Sequence, residues 1–92
     1  MIITVFRNRL NPDNIEQYYD WAGRMSELAK TMPGYISHKS FEAADTERVT
    51  IVEFEDLAST RAWGSHPEHQ KAMALGKQKF YLEYSIQVCQ CL

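Results

Sequence analysis

The strand-forming segments of this chain are apolar on both sides, and the chain has few helices with which to cover them. Residues 1–10 read as a strand in which Ile2, Thr4, Phe6, Asn8 and Leu10 share one side and Ile3, Val5, Arg7 and Arg9 the other. Residues Arg48 to Phe54 place Val49 and Ile51 on one side and Val52 and Phe54 on the other. The last strand, read over Tyr84 to Leu92, sets Ile86 and Val88 against Cys89 and Cys91. A sheet with one face in water alternates apolar with polar more cleanly than this. With 92 residues the chain has no spare element for a second face, so a partner of the same kind is expected, sheet against sheet. The expected assembly is a homodimer with C2 symmetry.

The elements follow from local signals. Asn11-Pro12-Asp13 offers a capping amide, a proline for the first turn and an acid near the positive helix end. The positions Ile15, Tyr18, Tyr19, Ala22, Met25, Leu28, Ala29 and Met32 keep helical spacing until Met32-Pro33-Gly34 stops the run. Tyr35 to Phe41 predicts the second strand, joined to the third by the polar connection 42–47. Asp56 can cap a short helix carrying Leu57, Ala62 and Trp63. A further helix restarts at Ser65-His66-Pro67-Glu68 and aligns His69, Ala72, Met73, Gly76 and Phe80 on one face. The order β-α-β-β-α-β predicts an α+β, ferredoxin-like split βαβ fold: a four-stranded antiparallel sheet with helices on one face. The reading is one domain over residues 1–92.

Charge narrows the function. The chain has 10 basic and 12 acidic side chains and no cationic cluster, which argues against a nucleic-acid partner. The opening Met1-Ile2-Ile3-Thr4-Val5-Phe6-Arg7 lacks the features of a secretion leader, and no apolar run has membrane-spanning length. A cytoplasmic protein without a membrane partner is expected. Cys89 and Cys91 share one strand face, a poor geometry for bonding each other, and read as small apolar side chains in a reducing compartment. There is no glycine-rich phosphate loop and no acidic metal cluster.

Asn8 is the first candidate for chemistry. An amide in mid-strand on the side of Phe6 either bonds nearby backbone or aims into a cleft to hold substrate or an oxygen intermediate. Trp63 is either core or the wall of a pocket that stacks on a flat ligand. His66 and His69 have a helical i, i+3 spacing, but without a third ligand they make a weak metal signal, and no metal is expected. His69 shares the apolar stripe with Met73 and is either packed or a general base. His38 has the opposite strand parity to Tyr35 and Phe41, which does not place it inside. Gly76 weakens its helix and permits a close approach. Phe80, Tyr18, Tyr19, Tyr81 and Tyr84 supply either core or an aromatic lining.

The run Met32-Pro33-Gly34-Tyr35, the strand Val49–Glu55, Ala62-Trp63 followed by His66-Pro67-Glu68-His69, Gly76 and Phe80-Tyr81 together resemble the antibiotic biosynthesis monooxygenase family. The resemblance covers nearly the whole chain. It implies membership of the dimeric α/β-barrel superfamily, with a pocket between helices and sheet in each subunit. It also implies a monooxygenase that oxidises a small electron-rich aromatic with molecular oxygen and no cofactor, neither metal nor flavin. Asn8 and Trp63 match the amide and indole that recur in such sites. Asn8 would orient substrate or a peroxy intermediate, and Trp63 would form the wall. His69 as proton acceptor, a reading from its place on the apolar stripe and not from the resemblance, and Phe6, Met73, Gly76 and Phe80 as substrate lining, complete the expected site. Two alternatives follow from the same resemblance. One is a non-catalytic dimeric module that binds a small aromatic. The other is haem binding or degradation, which the Met73 position disfavours because relatives of that kind place a ligand histidine there.

Overall fold

The computed structural model describes residues 1–92. The chain runs β1 (Ile2–Leu10), a 3-10 turn (Pro12–Asn14), α1 (Ile15–Lys30), β2 (Tyr35–Glu42), β3 (Arg48–Phe54), α2 (Leu57–Ser65), α3 (Pro67–Leu75), a π-helical turn (Gly76–Phe80) and β4 (Tyr81–Gln90). The sheet is antiparallel with order β2-β3-β1-β4, the split βαβ arrangement. Local chemistry sets the joints. The Asn11 side chain accepts from the Asp13 N–H, and the Asp56 carboxylate accepts from the Ser59 N–H at 2.8 Å. Gly34, at φ 80°, turns the chain from α1 into β2 where a side chain would collide with Ser59.

The barrel implied by the resemblance is not what this chain forms. β2 and β4 are the outer strands of an open sheet and do not pair with each other. Four strands give too short a circumference to curl round a packed interior, so the edges stay apart. The ferredoxin-like sheet with flanking helices stands; closure does not.

Other differences are local. The last helical stripe does not continue through Phe80. α3 ends at Leu75, and the π turn delivers Phe80 directly into β4, which starts at Tyr81 rather than Tyr84. The Phe80 carbonyl accepts from the Asn11 N–H at 2.7 Å, tying this joint to the end of β1. A bulge between Tyr35 and Ser37 shifts the register of β2, so His38 shares the face of Tyr35 despite its parity.

All helices lie on the face that carries Ile2, Phe54 and Asn8. The core there is Ala29, Phe54 and Trp63, with Met25, Leu28, Met32, Tyr35 and Val52 packed round it. The cover stops short of β4, where Ile86 and Val88 remain 48% and 54% exposed. The opposite face has no helix. One half of it carries Ile3, Val5 and Ile51; the other half carries Arg7, bonded to Glu47 at 2.8 Å, and Arg9, bonded to Glu83 at 2.7 Å. No helix is long and apolar enough to cross a membrane.

Gly76 is buried with its Cα against the Tyr81 ring, so a methyl group there would overlap that ring. Gly76→Ala is predicted to cost about 1–3 kcal/mol by forcing the ring or the π turn to move. Gly23→Ala, facing open space on α1, is predicted to raise stability by up to about 1 kcal/mol. Urea unfolding of both variants checks the pair; equal midpoints would contradict the packing role of Gly76.

Candidate active site

The helix-covered face has two different ends. Along the β1–β3 ladder, Ile2 pairs with Phe54 at one end and Asn8 with Arg48 at the other, a separation of about 20 Å at strand rise. The Phe54 end is packed. The Asn8 end is polar and ringed by aromatics.

Asn8 lies between Arg48 on β3 and Tyr84 on β4. It is only 3% exposed, and its Oδ1 is buried without a donor. Arg48 has the same defect, since its Nε–H is buried without an acceptor. Each unmade bond of this kind costs about 1–3 kcal/mol, so neither is expected without a use. The remaining Arg48 contacts are loose: one terminal nitrogen is 3.5 Å from the Tyr19 hydroxyl and 3.8 Å from the Glu42 carboxylate. The guanidinium also lies over the Tyr19 ring at 5.8 Å.

Aromatic rings surround this end. Phe6 stands 5.2 Å from Tyr81 and 6.3 Å from Tyr84 between ring centres. Tyr18 meets Phe80 edge-on at 5.8 Å and Tyr81 at 6.1 Å. Burial holds the Tyr81 hydroxyl well above its ordinary range, with Tyr18 adding to the effect and Arg48 opposing it, so Tyr81 remains a neutral phenol. A separate surface hollow of about 230 Å³ lies mostly on the helix-free side of this end, lined by Arg7, Glu47, Glu83 and Ser85 with Asn8 and Tyr84.

Trp63 and His69 meet at the other end. Trp63 belongs to the core with Ala29 and Phe54. The His69 ring stacks on the indole at 4.0 Å and 11°. Its Nδ1 lies 2.9 Å from the Trp63 carbonyl, which can only accept, so Nδ1 carries the proton and Nε2 keeps a lone pair. Burial pushes the His69 pKa down, against the Trp63 carbonyl, which favours the charged form; His66 adds slightly to the lowering. His66 instead caps α3, its Nδ1 accepting from the Glu68 N–H at 3.2 Å. The two histidines therefore face different tasks, and no three His, Cys, Asp or Glu side chains gather in a metal-binding group. His38 is bonded at both ring nitrogens, to Ser26 Oγ at 2.8 Å and the Tyr35 hydroxyl at 2.6 Å. Burial lowers its pKa as well, helped by the charge of Lys30 and opposed by Glu27.

The sequence candidates thus divide. Phe6, Gly76 and Phe80 join Asn8 through Tyr81 and Tyr18, while Trp63 and His69 form a separate stacked pair. Met73 is half-buried on α3. Arg48 was not among the candidates. Its signal was strand parity with Val52 and Phe54, which turns a cation toward the helices.

The chain matches the sequence model of a family described as antibiotic biosynthesis monooxygenase over residues 1–75. It is 28% identical over 86 residues to the uncharacterised protein YqjZ of Bacillus subtilis, covering 94% of this chain and 75% of that protein. Among solved structures it is similar to Rv0793 of Mycobacterium tuberculosis, with a TM-score of 0.86 at 16% identity over 99% of this chain and 94% of that one. It is also similar to SnoaB of Streptomyces nogalater, a cofactor-independent oxygenase, with a TM-score of 0.83 at 14% identity over 98% and 91% of the two chains. At such identities the structural likeness establishes the fold.

The two depressed histidines give a pH prediction. Below their ordinary value of 6.5 the unfolded chain takes up protons that the folded chain refuses, so this contribution to stability is full above 6.5 and falls as the pH drops. Urea midpoints are expected to decline between about pH 7.5 and about pH 5.5, and His38→Asn with His69→Gln is expected to flatten that decline. An unchanged slope in the double variant would contradict the assignment.

Proposed function

Because the chain belongs to the antibiotic biosynthesis monooxygenase family, we propose that it oxidises a small electron-rich phenol, hydroquinone or anthrone-like aromatic with molecular oxygen, using no metal or flavin. The observation that carries this reading is the buried, unpartnered Asn8 oxygen among aromatic rings. A flat substrate would lie against Phe6, Tyr81 and Phe80, with Gly76 making room for the Tyr81 ring and Met73 on the neighbouring helix. Asn8 would orient the substrate or an oxygen intermediate. Trp63, with His69 stacked on it, would close the packed end of the interior and would not touch a small substrate held at Asn8. In solution two copies would join through the bare sheet face.

The chemistry balances without a further reductant. A phenol and O2 give a quinone and water: one oxygen atom replaces a ring hydrogen and the other leaves as water. The substrate itself supplies the four electrons that O2 takes up. The protein then has to favour the ionised, electron-rich substrate and hold water away, tasks suited to fixed dipoles in a buried site.

Oxygen uptake with a panel of phenols and anthrones, and ¹⁸O₂ incorporation into the quinone, test this. Asn8→Ala is expected to lower kcat/KM by about 100-fold or more while the thermal melting curve stays cooperative. Uptake no faster than in the protein-free control, across the panel, would overturn the reading.

A further inference from the structure

We propose that Arg48 and Asn8 together recognise a phenolic hydroxyl, making Arg48 a specificity-determining residue. The inference rests on the monooxygenase reading for its substrate class, and on the two orphaned polar atoms for its geometry.

Asn8 and Arg48 are direct partners across β1 and β3, both on the helix-covered face. Side chains in that relation start about 5 Å apart. Asn8 presents a buried acceptor that lacks a donor, and Arg48 presents a buried donor that lacks an acceptor. They do not satisfy each other. A group that completes both must accept from Nε–H and donate to Oδ1. A hydroxyl does this; an ether oxygen and a carboxylate accept but cannot donate. The surrounding rings of Phe6, Tyr81 and Tyr84 make an aromatic hydroxyl the fitting occupant.

The charge on Arg48 adds a second selection. Its side chain is 16% exposed, and its carboxylate partner Glu42 is 57% exposed and 3.8 Å away. The cation is therefore weakly compensated. A hydroxyl bonded to it is polarised into a stronger donor toward Asn8 Oδ1, and a phenol answers to that pull far more readily than an aliphatic alcohol.

The test compares 1-naphthol with 1-methoxynaphthalene, which has a similar shape but cannot donate, on the full chain. Binding is followed by tryptophan fluorescence and by the ¹⁵N-resolved Arg48 Nε–H resonance. Naphthol is expected to shift that resonance and to bind at least about tenfold more tightly than the ether. Arg48→Lys keeps the charge but loses Nε–H, and is expected to remove most of that preference while the melting curve stays cooperative. Should Arg48→Lys unfold, the naphthol-to-ether ratio and the resonance shift in the native chain decide alone. Equal affinities, or a resonance that naphthol does not move, would mean that water alone fills the gap and would overturn the proposal. The preference with no oxygen uptake across the phenol and anthrone panel would sink the monooxygenase reading and leave the pair standing. Oxygen uptake on naphthol unaltered by Arg48→Lys would sink the pair and leave the monooxygenase reading intact.

Discussion

A single layer of helices can shield only one side of a sheet, and nearly every feature of this protein descends from that limit. α1, α2 and α3 pack against the side bearing Ile2 and Phe54. The other side keeps Ile3, Val5 and Ile51 without a helical cover, next to an ionic half built by Arg7 and Arg9. One surface is thereby free for association, and the interior under the helices is free to diverge in character along its length.

That divergence separates stability from chemistry. Trp63, Phe54 and Ala29 fill the interior where β3 ends, and the stacked His69 seals it. Where β3 begins, the same face holds an amide and a guanidinium whose polar atoms go unsatisfied. A chain with so few fully buried side chains gains nothing in stability from those gaps. Under the proposed reading a bound hydroxyl, and not a packing role, accounts for their persistence. The π turn serves the same end, since it places Gly76 under the Tyr81 ring and so fixes the aromatic cage around Asn8.

Much of this was legible in the amino-acid order because it depends on near neighbours. Caps at Asn11 and Asp56, the stop at Gly34 and the inward side of β1 all follow from local spacing. The features that escaped depend on contacts between distant segments. One extra residue in β2 turned His38 inward, and only the pairing with β3 reveals it. The early start of β4 and the end of α3 reflect the bond from Asn11 to the Phe80 carbonyl, not helix periodicity. Asn8 and Trp63 share a face by parity, yet parity says nothing of position along it. Arg48 was hidden in a strand otherwise read for its apolar side chains. The expectation of a barrel came from resemblance alone, and the open strand order corrects it.

The central claim is that this sheet needs a second copy of the chain on its bare side. Sedimentation equilibrium at micromolar protein is the direct measurement. The account predicts a species of twice the 10.7 kDa chain mass that shifts toward the single chain when Val5→Lys and Ile51→Lys are introduced together. A folded protein of 10.7 kDa under the same conditions, with its melting transition intact, would contradict it.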